Sequence, residues 1–129
     1  MQIEHVNPEA MHSNPAFSHG ITVSGPSQTL FIGGQNGVNA AGEILDGLGA
    51  QAEQALANLL QVVQRAGGSQ ANVVKLAIYI VQGQPVGEAF AAAQKVWGPH
   101  PTTVTVLMVA GLANPKFLIE VEGVAALSA

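Results

Sequence analysis

The 129-residue chain has no cysteine, only four lysine and arginine residues, and no run of about 18 apolar residues that could span a bilayer. The first absence excludes disulfides, thiolate nucleophiles and Cys-based metal sites, and it fits a reducing compartment. The four cations, Arg65, Lys75, Lys95 and Lys116, stand against eight Asp and Glu residues, for a net charge of −4. That balance lacks the basic footprint of a nucleic-acid-binding surface, so no nucleic-acid partner is expected. Met1 to Pro8 shows no basic start followed by an apolar stretch, which points to a soluble, unexported, cytoplasmic protein with no membrane partner. His5, His12, His19 and His100 are scattered rather than set at ligand spacing, so neither a metal nor another cofactor is expected. Gly33-Gly34-Gln35-Asn36-Gly37 lacks the lysine and Ser/Thr of a phosphate loop, and no helix pattern follows it directly.

Apolar residues are abundant, at 48% of the chain, while charged residues make up 9% against about 25% in an average soluble domain. A monomer would expose an unusually apolar surface, which suggests self-association. The length suits one domain spanning residues 1–129, because two halves of this size would each have a marginal core.

Periodicity assigns the elements. Gln2 to Val6 reads as a short strand. Ile21 to Ser24 and Thr29 to Ile32 read as a hairpin turned by Gly25-Pro26-Ser27 and ended by Gly33-Gly34. A Gly- and Asn-rich loop leads to a helix in which Leu48, Ala52, Ala55, Leu56, Leu59 and Val63 form one stripe, with Gln51, Gln54 and Asn58 assigned to the polar side. Gly67-Gly68 stops it. Val73 to Val81 is a strand with Lys75 as its only charged residue, as expected of a strand covered on both faces. Pro85 opens a second helix carrying Val86, Phe90, Ala93 and Trp97, and Gly98-Pro99 closes it. Thr102 to Val109 and Phe117 to Leu127 complete the order β-β-β-α-β-α-β-β. Tyr79 and Trp97 fall in apolar patterns and read as core residues. One helical layer covers only one face of such a sheet, so another subunit is the expected cover for the second face.

Four segments in this order resemble the YjgF/RidA family, the reactive intermediate deaminases. Phe17-Ser18-His19-Gly20 is similar to the family's Tyr-Ser-Gln-Ala, and Leu30 to Gln35 to its Phe-x-Ser-Gly-Gln. Ala66-Gly67-Gly68, Asn72 to Lys75 and Ile78-Tyr79-Ile80 are similar to Ala-Ala-Gly, Val-Val-Lys and Val-Tyr-Leu. Leu118 to Ala125 resembles Val-Glu-Ile-Glu-Ala-Ile-Ala. The resemblance implies an α+β, chorismate-mutase-like fold, a six-stranded mixed sheet with two helices on one face, assembled as a homotrimer around an inner barrel. It also implies inter-subunit clefts that bind a small-molecule ligand. In the best-known members the ligand is an amino-acid-derived enamine or imine, hydrolysed to a 2-oxo acid, with an arginine holding its carboxylate.

That arginine has no counterpart. Counting from Pro101 puts it at Thr103, counting back from Glu120 puts it at Thr105, and the chain's single arginine, Arg65, lies in the first helix pattern. Lys116 is a cation in the neighbouring turn. By the same resemblance Glu120 corresponds to the glutamate that orients water and is the catalytic candidate. Phe17, Gly33, Gly34, Thr103, Thr105 and Glu122 are candidates to line the cleft. Glu120 and Glu122, two apart on a strand, share a face. A carboxylate in an apolar cleft can act as acid or base, or simply bind backbone and water at a subunit boundary. Three functions follow as alternatives: a trimer binding a small metabolite with unassigned chemistry, a 2-iminoacid deaminase (a hydrolase) using another anchor, and a regulatory protein-interaction module.

Overall fold

The computed structural model describes residues 1–129. Its strands are β1 (Gln2–Val6), β2 (Gly20–Ser24), β3 (Ser27–Asn36), β4 (Val73–Val81), β5 (Thr103–Val109) and β6 (Ile119–Ser128), with helices α1 (Leu48–Arg65) and α2 (Val86–Trp97). This is an α+β fold in the expected element order. The helical stripe of α1 is buried against the sheet, and the helix ends where Gly67, at φ +96°, takes the left-handed conformation. Pro85 caps α2, which packs across α1 through Ala89, Ala92 and Trp97. Trp97 is buried as expected, and its indole N–H donates to the His100 carbonyl at 2.9 Å. Phe90, assigned to the apolar stripe, is instead 55% exposed, because the smaller alanines occupy the side of α2 that meets α1.

The strands form two sheets rather than one of six. β3, β6, β4 and β5 make a four-stranded sheet in that order, and β1 pairs antiparallel with β2 alone, from Gln2↔Ser24 to Val6↔Gly20. The expected β2–β3 hairpin does not pair. Gly25 turns the chain at φ +82°, Pro26 contributes no N–H, and β2 spends its ladder on β1. The two sheets are joined at another place: Phe17 bridges Thr102, and the Ser18 N–H donates to the Thr102 carbonyl at 3.0 Å. Nor do Gly33 and Gly34 end β3. They form an irregularity between Ile32 and Gln35, after which the strand continues to Asn36 against Glu120.

β4 lies inside the sheet, antiparallel to β6 and parallel to β5, with α2 supplying the crossover that a parallel pair needs. Alternation then divides the side chains. Ile32, Leu76, Ile80, Val121 and Ala125 face the helices and join Leu59 and Val63 in one core. Phe31, Lys75, Ala77, Tyr79, Glu120 and Glu122 project from the other face, which no helix covers.

Candidate functional site

The uncovered face is ordered in rows by strand register. Phe31, Val124, Lys75 and Thr103 stand side by side across β3, β6, β4 and β5. The next row has Glu122, Ala77 and Thr105, and the one after it Glu120, Tyr79 and Leu107. A cavity of about 310 Å³ lies over the first two rows, walled by Phe31, Gly33, Lys75, Ala77, Glu122 and Val124.

Glu120 and Glu122 do share this face. Glu120 occupies the space left by the glycine irregularity: a Cβ at Gly34 would lie 2.8 Å from Oε1 and 2.9 Å from the carboxyl carbon of Glu120. Gly33, by contrast, borders open space and lines the cavity. The sequence reason is therefore specific to Gly34, where a side chain would displace the Glu120 carboxylate from its place.

Tyr79 departs from its core assignment. It is only half-buried on the open face, and its hydroxyl donates to Glu122 across the β4–β6 ladder. That hydrogen bond first, then burial and the negative charges of Glu122 and Glu120, hold the phenol above its ordinary value near 10. Tyr79 thus restrains one carboxylate of the pair.

Thr103 and Thr105 both lie on β5. The Thr103 hydroxyl donates to the Val74 carbonyl at 2.5 Å, so it is committed to the backbone. Thr105 is exposed and accepts from Lys75 Nζ at 3.0 Å. The cation beside these positions is therefore Lys75, not Lys116, which is exposed in the turn where its backbone N–H bonds the Asn114 side chain. Arg65 sits in the last turn of α1, on the helical side of the molecule.

Phe17 lies beyond the β5 edge, its ring edge-on to His19 at 5.7 Å between centroids. The His19 Nε2–H donates to the His12 carbonyl at 2.6 Å, and buried Ser18 bonds His5 Nδ1 at 2.7 Å. These contacts tie the β1–β2 sheet to the main sheet. Within one chain they do not bring Phe17 to Glu120: with strands spaced about 4.8 Å apart, the Phe17 segment beyond β5 is three spacings, about 14 Å, from β6, and its partner Thr102 stands five residues before Leu107 in the row of Glu120.

Two supporting residues escaped the sequence reading. Gln51 is 2% exposed. Its Nε2 donates to the Leu45 and Lys116 carbonyls, both at 2.9 Å, and its Oε1 accepts from the Leu118 N–H at 2.8 Å. Asn58 donates to the Asn36 and Val38 carbonyls. Together they fasten α1 to the end of β3 and to the loop that delivers β6 and its glutamates. Position 51 is three residues after Leu48 and so belongs to the buried stripe, a signal that its polarity concealed. No group of three His, Asp or Glu side chains converges to hold a metal, and no helix is long and apolar enough to cross a membrane.

The pattern of the endoribonuclease L-PSP family matches residues 7–127. The chain belongs to this family. Among solved structures, a Yersinia pestis protein of unknown function from the conserved Rid family, YyfB, is 38% identical, with 98% of this chain and 100% of that one covered and a TM-score of 0.84. RidA from an Antarctic Psychrobacter is 21% identical, covering 89% and 97% of the two chains at a TM-score of 0.71. Yeast Mmf1 is 17% identical, covering 99% and 100% at 0.71. These last two show the shared fold alone. None of the curated proteins matches the chain. In this Rid-family chain the glycine irregularity lies beside Glu120, and Thr103 and Thr105 stand on β5.

Proposed function

We propose that this Rid-family protein is a homotrimer that holds a small metabolite in clefts between subunits. The observation that carries the reading is the separation of its cleft residues. Phe17 lies beyond the β5 edge of the sheet, whereas Gly33, Gly34 and Glu120 belong to the β3–β6 side, so a small ligand can meet Phe17 and this set together only where two copies abut. The bare sheet face supports association, since Phe31 is 78% and Leu107 50% exposed in the single chain. Glu120, half-buried beside Gly34, is the acid or base available to any chemistry in the cleft.

Hydrolytic deamination is the catalytic alternative. Threonine lacks the charge of a guanidinium, and a charge-assisted hydrogen bond is worth about 1.5–3 kcal/mol. The reading therefore favours binding over turnover of carboxylate-bearing imines. The family takes its name from an endoribonuclease, but a net charge of −4 disfavours RNA as the substrate of this chain.

Native mass spectrometry tests the assembly: three 13.2 kDa chains per particle are expected, and a stable monomer would remove the cleft. In the activity test, 2-iminobutanoate is expected to decay at its spontaneous rate with this protein and faster with an arginine-containing relative. Rapid clearance would make the deaminase reading correct.

A further inference from the structure

We propose that the cavity above Ala77 is a cradle for a small zwitterion, with Lys75 taking the carboxylate and Glu122 the cationic nitrogen. The proposal rests on the reading of the open face as a ligand site and names the ligand class for it.

Three features of the register lead to it. Ala77 sits between Glu122 on β6 and Thr105 on β5, and its methyl group is the smallest side chain on the β4 part of this face. Lys75, one row away, leans along the sheet so that its Nζ reaches Thr105 on one side of Ala77. Tyr79, one row away in the other direction, leans back to hold Glu122 on the opposite side. The result is a small floor with an ammonium on one flank and a carboxylate on the other.

These charges do not satisfy each other. The chain's one ion pair joins Lys95 to Glu53, so Lys75 and Glu122 line the same cavity without meeting. Lys75 has three N–H donors and one side-chain partner, a neutral hydroxyl. Glu122 has one side-chain partner, the Tyr79 hydroxyl, and keeps acceptor capacity on its carboxylate. Opposite charges held apart over a cavity of about 310 Å³ are complementary to a molecule whose own opposite charges are a few bonds apart, as in an α-amino acid. Phe31 and Val124 supply an apolar wall for a short side chain. Coordinating both ends needs neither Thr103, which is bound to the backbone, nor an arginine.

The test is a methyl-NMR titration of the intact protein with 2-aminobutanoate, butanoate and butylamine, following the Ala77 and Val124 methyl signals. 2-Aminobutanoate is expected to shift both and to bind at least 10-fold more tightly than either singly charged probe. Lys75→Met should abolish that preference over butylamine, Lys75→Arg should keep it, and Ala77→Leu should remove binding by filling the floor while leaving both charges. Shifts at these methyls that are indifferent to Lys75→Met, or equal for the three probes, would overturn the zwitterion assignment and leave the ligand-site reading standing. No shift with any probe would overturn both.

Discussion

Replacing Gln51 by leucine separates a structural role from a surface one. The side chain makes three hydrogen bonds from a site that is 2% exposed, and leucine keeps its volume while making none of them. The deserted groups are the Leu45 and Lys116 carbonyls and the Leu118 N–H. Stranding a buried polar group costs about 1–3 kcal/mol, and the two carbonyls, which tolerate a missing partner better than an N–H does, belong at the low end. Taking about 4–5 kcal/mol for the three and offsetting about 1–2 for the better burial of leucine leaves a net loss of about 3 kcal/mol. Against a total stability of about 5–15 kcal/mol that is a large fraction. Urea unfolding followed by the fluorescence of the single tryptophan, Trp97, at one fixed protein concentration should show the midpoint falling by about 1–2 M with little change in slope. Gln61→Leu, on the exposed side of the same helix, should change stability by no more than about 0.5 kcal/mol. Equal, small effects of the two substitutions would refute the claim that Gln51 fastens α1 to the loop leading into β6.

Tyr79 is the only tyrosine, so absorbance near 295 nm titrates it alone. The phenol should ionise above its usual pKa of about 10 in the wild type and closer to it in Glu122→Gln, where the strongest cause of the upward shift is weakened. Because the folded value is the raised one, the stabilisation it carries is complete below the unfolded pKa and is lost as pH rises through the folded one; Tyr79→Phe should remove that alkaline loss. Gly34→Ala should leave stability within about 1 kcal/mol of wild type, since the colliding atoms are the end of the Glu120 side chain, yet weaken ligand binding in a thermal-shift assay. Gly123→Ala should destabilise by about 3 kcal/mol, because its Cβ would lie 2.7 Å from the Lys75 carbonyl, which cannot move without breaking the sheet.

Much of the fold was legible because long elements carry strong periodic signals. The α1 stripe, β1 and the full extent of β4 follow directly from the spacing of their apolar residues. What stayed hidden depends on tertiary pairing. Nothing local distinguishes a Gly-Pro turn that closes a hairpin from one that sends its strands to separate sheets, and β2 takes β1 as its partner. Gly33-Gly34 carried a bulge signal as well as a stop signal, and the pairing of Asn36 with Glu120 selects the bulge. Tyr79 looked like core because its strand is apolar on both sides, but strand alternation assigns it to the face with Glu120 and Glu122. The shared face of the two glutamates was readable from their spacing. The approach of Lys75 to Thr105 was not, since it requires the parallel register of β4 and β5.

The most direct test of the small-molecule cleft is a crystal structure of the protein soaked with 2-aminobutanoate. The account expects ligand density over Ala77, between abutting copies, with the carboxylate at Lys75 and the nitrogen at Glu122. A face sealed by Phe31 or Phe17 in every subunit, with no room for a ligand beside Thr105 and Glu120, would contradict it.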